Sequence, residues 1–376
     1  MKIEFINDFE DFMDLKEPWN SLLCTSGYNS VFLTHEWFSC FIDCFQLKKR
    51  LAITLVYDRS ELVAILPLYI HTCSSLCLKY NILRSISNVH TPKYSFIFKQ
   101  GKEHLLGAIL RYMKRHMSWD LIQLEYISQD TGLFKEFKEL QNYGLKTKTA
   151  ETKKSPHIMI NSNWLTYYDS IPKSFRKHID SRHRRSERDY VVELERINGD
   201  LLDELALDEA FAIEDSGWKG RNGSSVLKNP MAKQFYYSLA FTLNRKNWFE
   251  LLFLKLSGKR VAFDYNLIYD ACYNMVKIGY DEQYKRYSIG NVLRKLVIMN
   301  AFQNNYKKYD FLGAADDYKT KLANSADVLH KVFIFNANPI SKCLKFLLFD
   351  AGELADSLGI KRHYSRIKPL IWGFSR

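Results

Sequence analysis

The chain has 376 residues, a length that fits two domains or one large one. It is 47% hydrophobic and 26% charged, close to ordinary globular usage, and no apolar run approaches the ~18 residues that would cross a membrane. The net charge of +12 favours polyanionic partners, whether nucleic acid, anionic lipid headgroups or a phosphate-bearing small molecule, without choosing among them.

Aromatics reach 15%, with 23 Tyr and 25 Phe, which predicts thick sheet–helix cores ahead of an aromatic-lined groove. The seven cysteines include two pairs four residues apart, Cys40/Cys44 and Cys73/Cys77. Neither has a histidine or second pair at finger spacing, so no metal site is expected. The acidic start, without a long apolar core, predicts no secretory leader. Together with reduced thiols this sets the expectation of a cytoplasmic protein.

In chain order, residues 1–50 predict a strand over Lys2–Ile6 and then helices, one opened by Asp8 and another by Thr34 running through Trp37, Phe38, Phe41 and Phe45. A hairpin follows, 51–57 and 62–69, with Pro67 reading as an edge or a bulge. A helix is expected over Leu105–Met117 and a strand from Trp119. The segment 171–188 carries seven Lys/Arg against two acids, a cationic helix with a narrow stripe of Phe175 and Ile179. It reads either as a solvated face or as a phosphate clamp through residues such as Arg176.

The second half repeats the first some 190–200 residues later: a hairpin over 251–256 and 261–268, then Tyr309–Leu312 echoing Trp119–Ile122. Asp264 interrupts an apolar strand and reads as a desolvated base or, by alternation, as a solvent-facing carboxylate. Next comes KIGYDEQYKRYSIGNVLRKLVIMNAFQNNYKKYDFLGAADDYK, residues 277–319: strand end, small-residue corner, amphipathic helix, strand. The N–H groups opening that helix carry partial positive charge suited to a diphosphate, with Ser288, Ile289, Gly290 and Asn291 as backbone donors and Lys285 and Arg286 adding charge. The C-terminus predicts a strand over Lys331–Phe335, a helix from Pro339 to about Leu358 capped by Gly359, and a basic, aromatic tail over 361–376.

YDEQYKRYSIG…DFLGAADDYK resembles the second half of tandem GNAT-fold acyltransferases of the CelD/BcsL cellulose-biosynthesis type, relatives of the Fem-type aminoacyl ligases. The likeness extends to Glu214–Gly220, Trp19–Leu22 and Val31–Trp37, and so spans most of the chain. It implies an α/β fold of two GNAT-like units side by side, mixed sheets flanked by helices, over 1–150 and 151–376. The active cleft falls in the second unit, the first is structural or acceptor-shaping, and the last strand and helix return to the first. It further implies acid–base or orienting roles for Tyr318, Lys319 and Asp310, and a substrate-side loop bearing Glu214, Trp218 and Lys219, with Asp281 near the acceptor. The activity implied is acyl transfer from an acyl-CoA, acetyl-CoA foremost, to an amine of a small-molecule or glycan precursor. A Fem-like ligase using charged tRNA is the alternative, and a non-catalytic polysaccharide or nucleic-acid binder a third. Peripheral membrane contact through the tail stays open.

Overall fold

The computed structural model describes residues 1–75 and 78–351. Cys77, the far end of the predicted C-terminal helix, its Gly359 cap and the basic tail lie outside the described residues.

The chain forms two compact units. One comprises Met1–Asn29, Gln46–Thr152 and the chain from Leu329; the other comprises Ser30–Phe45 and Lys153–Val328. The strands of the first are β1 (Lys2–Ile6), β2 (Ile53–Asp58), β3 (Glu61–Leu66), β4 (Leu68–Ser75), β5 (Leu78–Ser85), β6 (Ile97–Phe98) and β7 (Leu121–Ser128). They make a four-stranded sheet ordered β1-β2-β3-β6 and a run ordered β4-β5-β7. Pro67 marks neither an edge nor a bulge. With no N–H to give, it ends β3, and the chain resumes as β4 in the other sheet. Its carbonyl is held by the Tyr94 hydroxyl at 2.5 Å.

The remaining strands are β8 (Lys146–Met159), β9 (Val192–Ile197), β10 (Phe249–Leu256), β11 (Lys259–Tyr269), β12 (Cys272–Tyr280), β13 (Lys308–Asp310) and β14 (Ser325–Phe335). In the second unit the order runs from the end of β8 through β13, β12, β11 and β10 to β9. Each unit therefore contains one parallel pair joined through a helix, β5 with β7 and β12 with β13. Each is closed by a strand from elsewhere in the chain: His157–Met159 of β8 pair with β13, and Leu329–Phe335 of β14 pair with β7.

The feature that positions the site is a mismatch in length. β13 pairs with β12 only over Cys272–Asn274, whereas β12 continues to Tyr280. Among the described residues, that edge of β12 has no strand partner beyond Asn274. Against β11 the register shifts at Tyr265/Asn266, leaving Val276 as the extra residue of a bulge.

Helices cover both faces of the second sheet. Ile289–Gln303 packs its apolar stripe, including Val292, Val297 and Ala301, with Leu252, Tyr273 and Tyr309. On the other face Phe211 of Glu204–Ser216 meets Phe263 and Tyr265, and Phe235 of Pro230–Asn244 meets Trp37 edge-on at 5.3 Å. Trp37 sits on helix His35–Cys44, which Thr34 opens by accepting from the Trp37 N–H. The aromatic excess is thus largely core.

Gly279 of β12 fixes how closely helix Glu204–Ser216 approaches. A Cβ there would lie 2.5 Å from the Phe263 ring and 3.1 Å from the Glu214 backbone. Gly279→Ala is expected to lose about 1–3 kcal/mol of stability, read as a lower urea midpoint with unchanged slope.

Candidate functional site

The turn Glu282–Tyr287 carries the chain from β12 to the start of helix Ile289–Gln303. Asp281 opens it by accepting from the Gln283 N–H and is held by Lys259 at 3.2 Å, so it shapes the loop. Ser288 adopts a left-handed conformation (φ 48°, ψ 42°) and gives the following helix no side-chain cap. Its hydroxyl instead lies 3.2 Å from His178 Nε2. Ile289 is buried and offers only its backbone, and Gly290 sits where a Cβ would touch the Tyr280 ring at 3.4 Å. Lys285 is exposed, whereas Arg286 folds back to donate to the Tyr287 hydroxyl, which donates in turn to Asp189.

The cationic helix, Lys173–Asp189, braces this corner. Arg182 donates to the Arg286 carbonyl at 3.0 Å, and Asp180 accepts from Lys295 at 2.8 Å. Arg185 lies over the Tyr287 ring at 5.5 Å with a buried, unpartnered Nε. Arg176 points back instead, to the Tyr168 carbonyl and the Asp169 carboxylate, away from the corner it was expected to serve.

Asp264 is fully buried, and both its oxygens are bound by the guanidinium of Arg294. It faces inward, contrary to the solvent-facing alternative. Burial lifts its carboxyl above the ordinary range while Arg294 opposes the shift. Arg294 also donates to the Tyr309 hydroxyl at 2.9 Å. The carboxylate is therefore fully engaged in tying β11 to the helix. Tyr318 has a buried hydroxyl with no hydrogen-bond partner among the described residues, and burial pushes it up to about 12. Lys319 is buried and staples the preceding loop, donating to the Leu312 and Ala314 carbonyls and pairing with Asp316 at 3.0 Å. Asp310 accepts from the Leu312 N–H, holding that residue at φ 52°.

On the opposite face, Glu214 is buried at the end of its helix. One oxygen accepts from Lys219 at 2.7 Å and the other from the Val226 N–H at 2.8 Å. Lys219 also donates to the Ile278 carbonyl on the open part of β12. Lys277 of β12 brings its Nζ to 3.9 Å from the same Glu214 oxygen and 4.8 Å above the Tyr236 ring. Burial lowers Lys277 to about 8. Trp218 is half exposed, and Arg221 makes a two-pronged bridge to Glu282 that ties the 218–221 turn to the 282–287 turn. Of the expected substrate-side residues, Glu214 and Lys219 thus meet each other. Lys277, Arg294 and His178 join the site unforeseen. For Lys277 and Arg294 a signal existed: a cation on an apolar strand, and a cation on the buried stripe of a helix.

A further polar group gathers His157, Asp310 and Asp327, whose ligand atoms lie within 4.8 Å of one another. Lys308 places its ammonium 3.3 Å from Asp310 and 3.2 Å from Asp327. The two carboxylates already share a cation from the chain itself.

Residues 173–320, which contain most of this geometry, match the acetyltransferase (GNAT) domain family. The fold is GNAT-like. Among solved structures the chain resembles FemX, at 11% identity over 91% of this chain and 99% of that one, with a TM-score of 0.63. It also resembles the C-terminal domain of a putative lysylphosphatidylglycerol synthetase from Agrobacterium fabrum, at 9% identity over 89% and 95%, TM-score 0.54. A third likeness is to L-PGS from Bacillus licheniformis, at 11% identity over 90% and 95%, TM-score 0.52. At such identities the likeness is one of fold. No curated protein matches the chain in sequence.

Two outcomes follow from the buried charges. Arg294→Met strands the Asp264 carboxylate and should cost about 3–5 kcal/mol in chemical denaturation, most of it regained when Asp264→Leu is added. Lys277→Met should act in the opposite sense at pH 7, stabilising by about 2 kcal/mol. The unfolded chain holds this proton up to 10.5 and the folded one only to about 8. The folded state is therefore disfavoured below pH 8, and wild type gains on the variant as pH rises from 8 to 10.5. Denaturation at pH 7 and pH 10.5 reads both ends of that window.

Proposed function

We propose that the protein is an acyltransferase of the tandem CelD/BcsL type, moving an acyl group from an acyl-CoA to an amine on a sugar or cell-envelope precursor. The observation that carries this reading is the unpartnered edge of β12 leading into the left-handed Ser288 and an uncapped helix start. An open strand edge offers hydrogen bonds to an amide-bearing chain, and free N–H groups at a helix start suit a diphosphate. A pantetheine-linked diphosphate has both parts.

In this reading the backbone of Ser288–Asn291 seats the diphosphate through the Ile289 and Gly290 N–H groups, those of Ser288 and Asn291 already donating to the Lys285 and Ser288 carbonyls, with Lys285 and the cations of Lys173–Asp189 adding charge. Tyr318, a buried hydroxyl pushed up to about 12, stays protonated at neutral pH and serves as the donor to a leaving thiolate. Asp264 orients helix Ile289–Gln303 through Arg294 and takes no proton, since both oxygens are engaged. Lys319 and Asp310 shape the loop that presents Tyr318. The first unit serves as the structural or acceptor-shaping partner.

A second reading, a Fem-like ligase fed by charged tRNA, is supported by the exposed Lys177, Arg184 and Lys285 around the same corner. Thermal shift against acetyl-CoA, longer acyl-CoAs and charged tRNA separates the two. An acyl-CoA at 100 times its Kd should add about 2.7 kcal/mol of stability, a gain lost in Gly290→Trp. A shift with charged tRNA alone would replace the first reading with the second. With an acyl-CoA and a turned-over amine, Tyr318→Phe should lower kcat about 100-fold with little change in KM.

A further inference from the structure

We propose that Lys277 and Lys219, disposed about the Glu214 carboxylate, receive an anionic group, a carboxylate or a phosphate, carried by the acceptor molecule. This rests on the acyl-transfer reading and narrows it to acceptors that bear a negative charge beside the reacting amine.

Charge is out of balance around Glu214. Glu214 is fully buried, and its two oxygens accept from Lys219 and from the Val226 N–H. Lys277 lies 3.9 Å from one of those oxygens, beyond hydrogen-bond reach, and the Tyr236 ring beneath it supplies no acceptor atom. Two ammonium groups thus meet one carboxylate in a largely buried place. Among the described residues the charged groups that act on Lys277 are Glu214 and Lys219, with the Tyr236 ring beneath it, and beyond Lys219 lies another cation, Lys319. Among the described residues Lys277 has the Glu214 ion pair and the Tyr236 face but no hydrogen bond, and an incoming anion would supply one.

Position adds the second line. Lys277 follows the bulge at Val276, on the stretch of β12 that β13 leaves uncovered. In register it faces with Tyr265, toward helices Glu204–Ser216 and Pro230–Asn244. Ile278 lies in register with Asp264, toward Arg294 and the helix that Ser288 opens. The diphosphate seat and the lysine pair therefore belong to opposite faces of one strand, which gives the anion to the acceptor and not to the donor. Both lysine side chains keep some exposure, 15% and 22%, so the pair is reachable.

The probe is pyridoxal 5′-phosphate, with 5′-deoxypyridoxal, which likewise keeps its aldehyde open, as the counterpart without a phosphate. The Lys277 amine adds to the aldehyde with loss of water to give an imine, which borohydride reduces to a stable secondary amine located by peptide mapping. Burial toward a value of about 8 leaves enough free amine at pH 8 for this addition. The phosphate-bearing aldehyde should label Lys277 about tenfold faster than 5′-deoxypyridoxal, the equivalent of one charge-assisted contact. Lys219→Met should abolish the preference and Lys219→Arg should keep it. Inorganic phosphate and acetate serve as competitors: protection by phosphate assigns a phosphate-bearing acceptor, protection by acetate a carboxylate. Equal labelling by the two aldehydes, a preference that survives Lys219→Met, or no protection by either anion overturns the proposal. Labelling needs no acyl donor, so it stands apart from the acyl-CoA shift that tests the acyl-transfer reading.

Discussion

The second unit depends on one buried contact, the Asp264 carboxylate in the fork of Arg294. It joins the middle of a sheet to the middle of the helix laid across it, and Tyr309 on β13, two strands away, is drawn into the same group. A pair with no exposure gains little net stability from its own attraction, because desolvation offsets the Coulomb term. What it secures is position. A guanidinium fork accepts a carboxylate in one plane and at one depth, so the helix cannot slide by a turn without stranding both charges. The start of that helix, with Ser288 in its left-handed conformation, is thereby held at a fixed place beside the open edge of β12.

Around that frame the polar residues divide by face. Arg294, Asp264 and the Tyr309 hydroxyl lie under the helix and bind one another, with only the Arg294 Nε left over. Glu214, Lys219 and Lys277 lie under the other helices and are not fully satisfied, since cations outnumber the carboxylate. The same residue types in the same strand pair therefore do different work, and the difference is read from partners rather than from identity. A satisfied group fixes geometry, whereas an incompletely satisfied one is where a ligand gains most.

Much of the architecture was legible in the residues. Alternation and turn chemistry located the hairpin of β10 and β11, Thr34 announced its helix, and the small residues at 288–291 marked a helix start. Partners were harder to see. Asp264 read as a base because its neighbours along the strand are apolar, but Arg294 is thirty residues away and enters only when the helix folds over. Arg176 belongs to a cationic helix, yet Asp169, one turn upstream of that helix, takes its charge. Lys319 reads as a catalytic cation until the loop carbonyls of Leu312 and Ala314 close on it. In each case the residue type was informative and its occupancy was a tertiary fact. Pro67 shows the same limit for the backbone: its missing N–H forecasts an interruption but not that the chain then changes sheets.

The closing strand of the first unit has a consequence for how the molecule is made. β7 leaves the ribosome some 200 residues before Leu329–Phe335 of β14, the segment that pairs with its far edge. Throughout that interval the first unit holds an unsaturated strand edge beside an apolar face, the kind of surface that recruits other chains. Its completion waits on synthesis of the whole second unit, so the two cannot mature as independent modules in order of translation. Truncation near the end of the chain would be felt first by the residues made earliest.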